Sequence, residues 1–397
     1  MITNLSVGKP AKVLFLFTLP MLLGNVFQQL YNISDSIIVG NYVGEDALAA
    51  VGSTFVLVFL TIGIAIGSST GSSIVISQAF GSGDMKKVRS GITTALISVT
   101  LLGFVISASG LFLLKPLLEL LNTPAENFSA AYGYILIIFF GCPFMFLYNC
   151  LTAVFNALGD SKTPLKFLIF STLTNIGLDL LFVINFNMET KGVGYATIIA
   201  QGLSAIGLLL FFLYKINRMN LGEKGKLFDF KILKEMTSYA IPSVIQQSIV
   251  ATGMMAVQGL VNSYGQEMMA GYAAATKIDS IAVMPMLNIS TALSTYSAQN
   301  LGAKKLERIK QGHFAALKLI LFFAIMTSIV VAFFGEAFVN LFMDSEVSKE
   351  AIRLGTEYLK IVSVFYFLMG IMFAANGVLR GIGFMKLFML TTLINLI

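Results

Sequence analysis

The stretch SQAFGSGDMKKVRSG at Ser77–Gly91 returns in altered form as AQNLGAKKLERIKQG at Ala298–Gly312. Gln78, Gly81 and Gly91 align with Gln299, Gly302 and Gly312, a spacing of 221 residues. Working outward, Pro20 and Pro242 are 222 apart, and the pairs Tyr134/Tyr358 and Gly159/Gly383 are 224 apart. The chain is therefore read as two related halves.

Composition says what the halves are made of. Of 397 residues, 56% are hydrophobic and 12% charged, and the mean hydropathy is +0.84. So few polar residues cannot coat a soluble core of this size, which excludes a soluble enzyme and a disordered chain. A helix crosses a bilayer in about 20 residues. Runs of that length lie near 15–39, 52–78, 91–114, 132–156, 165–185, 193–214, 239–263, 270–298, 314–335 and 356–378, and an eleventh starts near Leu387. Six spans separate equivalent positions, so both halves point the same way, as a parallel repeat about an axis along the membrane normal. The expected fold is an all-α polytopic membrane protein with two six-helix lobes. Residues 1–216 form the first, 217–238 a linker and 239–397 the second. By the repeat the second half should reach about residue 438. The expectation is thus a truncated chain ending within its eleventh helix.

Lys and Arg alternate in density from loop to loop. One side holds Lys9 and Lys12, Lys86, Lys87 and Arg89, Lys162 and Lys166, the linker bases including Lys224, Lys304, Lys305, Arg308 and Lys310, then Arg380 and Lys386. The other side holds Lys115, Lys191, Lys349 and Arg353. The positive-inside rule places the N-terminus and the linker in the cytoplasm, hence a multi-pass protein of the inner (plasma) membrane. The net charge of +6 reports this topology and not nucleic-acid binding. Val13–Gly24 mimics a signal sequence, but no small-residue cleavage site follows, so it reads as a retained helix.

Much chemistry is excluded. His313 is the one histidine, and Cys142 and Cys150 lie in one apolar run, so no metal cluster is expected. GSGD at Gly81–Asp84 lacks the strand and the Lys-Ser/Thr of a phosphate loop.

Polar residues inside the spans carry the argument. An Asp at a helix centre costs about 2.5–3.5 kcal/mol on insertion scales, so a retained one is a functional candidate. Span one carries Asn25, Gln28, Asn32 and Asp35 at spacings that fall on one helical face, flanked by Gln29 and Tyr31. Span five carries Asn175 and Asp179 at i, i+4. Two buried carboxylates with amides beside them suit a proton or a cation. Span eight holds Lys277 and Asp279, which face different directions. Span seven offers amides, Gln247 among them, and Met254 and Met255, whose flexible thioethers suit a pocket for varied apolar shapes.

These residues resemble a known family. TLPMLLGNVFQQLYNISDSIIVG in span one, LAAVGSTFVLVFL in span two, FNALGDSKTP after span four, NIGLD in span five and AAATKIDSIAVMPM in span eight are similar to the MATE (multidrug and toxic compound extrusion) transporters, the last to their DinF-like branch. The resemblance covers essentially the whole chain. It implies a V-shaped pair of lobes and alternating access. It also implies export of small organic, often cationic, compounds in exchange for H⁺ or Na⁺, by a monomer in the lipid bilayer with no cofactor. Asp35, Asn175, Asp179, Tyr134 and Thr197 match the coupling site, with Na⁺ at Asp35, Asn175 and Asp179 as one option, and Pro20 matches the helix-1 hinge. Gln28, Asn32, Gln247, Met254, Met255, Lys277 and Asp279 are the expected substrate cavity. Amides replace the acids that one branch carries in helix 7, and mid-span ten carries none, which favours coupling through the first lobe. A flippase for lipid-linked saccharides is the alternative within this superfold, and a non-transporting receptor is a further one.

Overall fold

Each expected span becomes a helix because an apolar run satisfies its own backbone hydrogen bonds only in that form within a bilayer. The structure, a computed structural model, describes residues 3–44, 50, 52, 54–121, 123–218, 225–341 and 349–396. Leu48, Ala49, Val51 and Ser53 of the span-two motif, Lys224 of the linker and Ile397 lie outside the described residues. The helices are α1 (Pro10–Ile38), α2 (Phe55–Ser82), α3 (Met85–Leu120), α4 (Ala125–Ala157), α5 (Lys162–Asp179), α6 (Glu189–Arg218), α7 (Phe230–Ser263), α8 (Gln266–Gly302), α9 (Leu306–Leu341), α10 (Lys349–Ile382) and α11 (Met385–Leu396). Short π-helical turns, Val39–Val43 and Leu180–Asn185, extend α1 and α5.

The turns follow from their residues. Gly83 closes α2 at φ +77, a left-handed conformation cheap only for glycine, and Asp84 opens α3 by accepting from Lys87 N at 2.9 Å. GSGD is a pair of helix caps. Between α4 and α5, Asp160 does the same work, accepting from Thr163 N at 3.1 Å and from its Oγ1 at 2.8 Å.

Among the described residues, nine helices are long and apolar enough to span a membrane. The expected eighth span, α8, is long enough but falls short in apolarity. Toward its C-terminal end, polar residues are instead covered by protein: Asn288, Ser290, Ser294, Thr295, Ser297, Gln299 and Asn300 are all buried.

The chain divides into two compact units. Unit 1 comprises Met1–Asn4 and Leu23–Ser248, and unit 2 comprises Leu5–Leu22 and Ile249–Ile397. Unit 1 is built around a core including Ile76, Ile92, Leu114, Phe146 and Phe155. Unit 2 packs Leu5, Leu14 and Phe17 with Ile320, Tyr296 and Tyr366. The first part of α1 thus belongs to unit 2, and the part from Leu23 onward to unit 1. The division falls two residues after the buried Pro20, whose missing N–H and ring weaken the helix there.

Candidate functional site

The last two turns of α1 and the end of α5 meet within unit 1. Asn175 and Asp179 are fully buried on α5, and Asp35 is half-buried on α1. In the amide orientation that satisfies both carboxylates, Asn175 Nδ2 donates to Asp35 Oδ1 at 2.9 Å and to Asp179 Oδ2 at 3.2 Å. Asp179 Oδ1 is buried with no hydrogen-bond partner. One turn before Asp35, the Tyr31 hydroxyl is hydrogen-bonded to Thr197 Oγ1 of α6 at 2.9 Å. The five-residue set expected at this site lies on α1, α4, α5 and α6. Of it, Asp35, Asn175 and Asp179 are joined directly, Thr197 is hydrogen-bonded to Tyr31 one turn before Asp35, and Tyr134 packs against the neighbouring apolar cluster. Tyr31 is the addition. Its signal was its i−4 spacing from Asp35.

An apolar cluster adjoins the acids in the chain of both helices. Ile38, Val39, Val183 and Val193 are buried together, with Val43 and Tyr134 packed against them. Both acid-bearing helices pass into their π-helical turns here, a departure from regular helix that recurs at functional sites.

The polar stripe read along α1 does not act as one surface. Gln28 and Asn32 are exposed, and Asn32 Nδ2 donates to Gln29 Oε1 at 3.3 Å, not to either acid. The expected cavity residues are divided between units. Gln28, Asn32 and the half-buried Gln247 belong to unit 1, and Met254, Met255, Lys277 and Asp279 to unit 2. Met254, Met255 and Lys277 are exposed. Asp279 is half-buried and accepts a 2.8 Å hydrogen bond from the hydroxyl of the buried Tyr366 on α10, a partner the sequence reading missed.

Comparison with known proteins agrees with this architecture. A family model described as MatE matches residues 20–181 and 242–397. The chain is 32% identical over 391 residues to a probable multidrug resistance protein, YpnP, of Bacillus subtilis, covering 98% of this chain and 86% of that one. It is 25% identical over 385 residues to a probable multidrug resistance protein, NorM, of Thermotoga maritima, covering 94% and 80%. In fold it is similar to an outward-facing multidrug resistance MATE family transporter of the MOP superfamily, with a TM-score of 0.91, 22% identity, and 98% and 87% of the two chains covered.

Proposed function

The chain belongs to the MatE family, and on that premise we propose that it is a secondary active antiporter exporting small organic compounds, many of them cationic. The observation that carries this reading is the trio Asp35, Asn175 and Asp179, the last two fully buried, with one carboxylate oxygen of Asp179 left without a partner. Two carboxylates on a shared amide repel each other unless a proton or cation joins them. The donor set is all oxygen apart from the one amide nitrogen, which suits H⁺ or Na⁺ and not a soft transition metal.

The cycle we infer uses this pair as the ion-loaded element. An ion arriving from outside neutralises Asp35 and Asp179, and Thr197 and Tyr134 complete the site. Relief of repulsion favours a different bend of α1 at Pro20, which expels substrate. One charge crossing about 100 mV yields about 2.3 kcal/mol, and one pH unit adds about 1.4. Together they support a substrate gradient of roughly several hundred-fold per ion. In this reading the lobes are residues 1–216 and 239–397, joined by the cytoplasmic linker 217–238. The protein works as a monomer in the plasma membrane with its N-terminus inside. Gln28, Asn32, Gln247, Met254, Met255, Lys277 and Asp279 face the substrate. The similarity to multidrug resistance proteins does not favour the saccharide flippase.

The test uses protein reconstituted in vesicles. Ethidium movement is followed under an imposed ΔpH and, separately, a Na⁺ gradient, for wild type and Asp35→Asn. Movement driven by one gradient and abolished in the variant is expected. Unchanged movement in Asp35→Asn would remove the acid pair from the mechanism.

A further inference from the structure

A clamp outside the acid site holds the segment leading into α1. Gln299 Oε1 accepts from Leu5 N at 2.9 Å. Arg308 Nη1 donates to Gly8 O at 3.0 Å, and its Nε donates to Asn300 Oδ1 at 3.1 Å. That bond turns Asn300 Nδ2 toward Leu5 O, at 3.4 Å. Leu5 itself is buried in the unit 2 core. Chain termini ordinarily fray unless tied down, and here the tie is made almost wholly to backbone atoms.

The other half carries a counterpart. There the linker end before α7 is held by the α2–α3 region: Thr93 Oγ1 donates to Lys226 O at 3.2 Å, and Asp229 N donates to Thr94 Oγ1 at 3.0 Å. By the repeat spacing of 221, Arg308 stands where the first half has Lys87. Lys87 also reaches the start of another half's first helix, pairing with Glu235 of α7 at 2.8 Å. Each half's hairpin between its second and third helices therefore grips the lead-in to the opposite half's first helix. Correspondingly, α1 up to Leu22 belongs to unit 2 and α7 up to Ser248 to unit 1.

We propose that Gln299, Asn300 and Arg308 are positioning residues for coupling: they pin the start of α1 within unit 2, so that an ion event at Asp35 bends the helix at Pro20 instead of sliding it along its axis. The proposal rests on the antiport reading above. A helix free at its far end would absorb a local rearrangement at Asp35 by moving bodily, and no second element would feel it. A helix fixed at its far end must bend at its weakest point. All partners of the clamp, Leu5–Gly8 and Gln299, Asn300 and Arg308, lie inside unit 2.

The test uses the full chain in vesicles and in detergent. The Asn300→Ala/Arg308→Ala double variant should lose gradient-driven ethidium export by about tenfold, the scale of a typical coupling energy. Equilibrium binding of ethidium should change by less than about twofold, and ion flow without ethidium should rise above its wild-type level, so that fewer ethidium molecules move per ion. Arg308→Lys, which keeps one donor for the Gly8 carbonyl, should recover most of the export. Gln299→Met is the milder variant if the double variant folds poorly. Hydrogen exchange supplies a readout independent of transport: residues 5–8 should be protected in wild type and in Asp35→Asn, and exchange at least about tenfold faster in the double variant. A double variant that exports at the wild-type rate, or wild-type residues 5–8 that exchange as free chain, would overturn the clamp. Absence of driven export in wild type would instead sink the antiport reading, and the clamp would then be judged on exchange alone.

Discussion

Asp35 of α1 and Asp179 of α5, 144 positions apart in the chain, meet at a single amide, the Asn175 nitrogen 2.9 Å from one and 3.2 Å from the other. That amide is the one described donor shared by both acids. Replacing it with Leu keeps the bulk and removes the donor, so the carboxylates face each other without mediation. A lost hydrogen bond to a charged buried group costs about 1.5–3 kcal/mol. Asn175→Leu should cut gradient-driven ethidium export by at least about tenfold. Vesicle export assays check it, with ethidium binding in detergent as the control for a folded protein.

Asp160 gives a pH signature. It sits outside the spans, its side chain fully covered, paired with Lys215 Nζ and bonded to Thr163. Burial alone would raise its pKa, but the hydrogen bonds from Lys215 and Thr163 and the lysine charge outweigh burial and hold it below the ordinary carboxylate value. A folded value below the unfolded one means the stabilisation is present above the unfolded pKa, about 3.9, and is lost as pH falls through the lower folded value. Asp160→Asn should therefore melt well below wild type at pH 7, by roughly 3 kcal/mol, because it leaves Lys215 without its charge partner. Thermal melts from pH 7 to pH 3 should show that gap narrowing only below about pH 4.

The acids and the repeat were legible because charge stands out in an apolar run and because Gln, Gly and Pro recur at matched spacing. The role of the α1 stripe was not. Helical spacing gives the direction in which Gln28, Asn32 and Asp35 point, but not what covers that direction at each height. Asp35 is met by α5, while Gln28, two turns earlier, is exposed. The clamp was invisible for a different reason. Arg308 and Gln299 grip backbone atoms of Leu5 and Gly8, and a gripped backbone leaves no pattern in its own side chains. The shortfall of α8 in apolarity reflects its setting: a helix covered by protein can carry Ser, Thr and Asn that a lipid-facing one cannot.

Asp279 and Tyr366 separate charge from scaffold. The tyrosine hydroxyl donates to Asp279 Oδ1 at 2.8 Å, and an asparagine oxygen in the same place accepts equally well. Asp279→Asn should melt within about 1 kcal/mol of wild type, whereas Asp279→Leu strands a buried hydroxyl and should cost about 1–3 kcal/mol. If the charge contacts cationic substrates, Asp279→Asn should also weaken ethidium binding without lowering the melting temperature. Melting and equilibrium binding on the same detergent-purified samples test both halves of this expectation.

Gly271 of α8 and Gly355 of α10 let the two helix backbones approach closely within unit 2. A Cβ on Gly355 would lie 2.6 Å from the Gly271 carbonyl oxygen, and one on Gly271 would lie 2.9 Å from Gly355 N. Both obstacles are backbone, so neither can swing aside. The two helices would have to part, losing the dispersion contacts that hold membrane helices together where burial from water contributes little. Gly355→Ala should destabilise the protein by about 1–3 kcal/mol. Gly335→Ala on α9 is the matched control. Its added methyl would meet only Leu359 Cδ1 at 3.9 Å and Val331 Cγ1 at 4.0 Å, ordinary contact distances. Alanine is also the better helix former by about 1 kcal/mol, so Gly335→Ala should melt at or above wild type. Melting curves for the two variants in one detergent decide the matter. Coincident curves would show that the α8–α10 approach is not what holds unit 2 together.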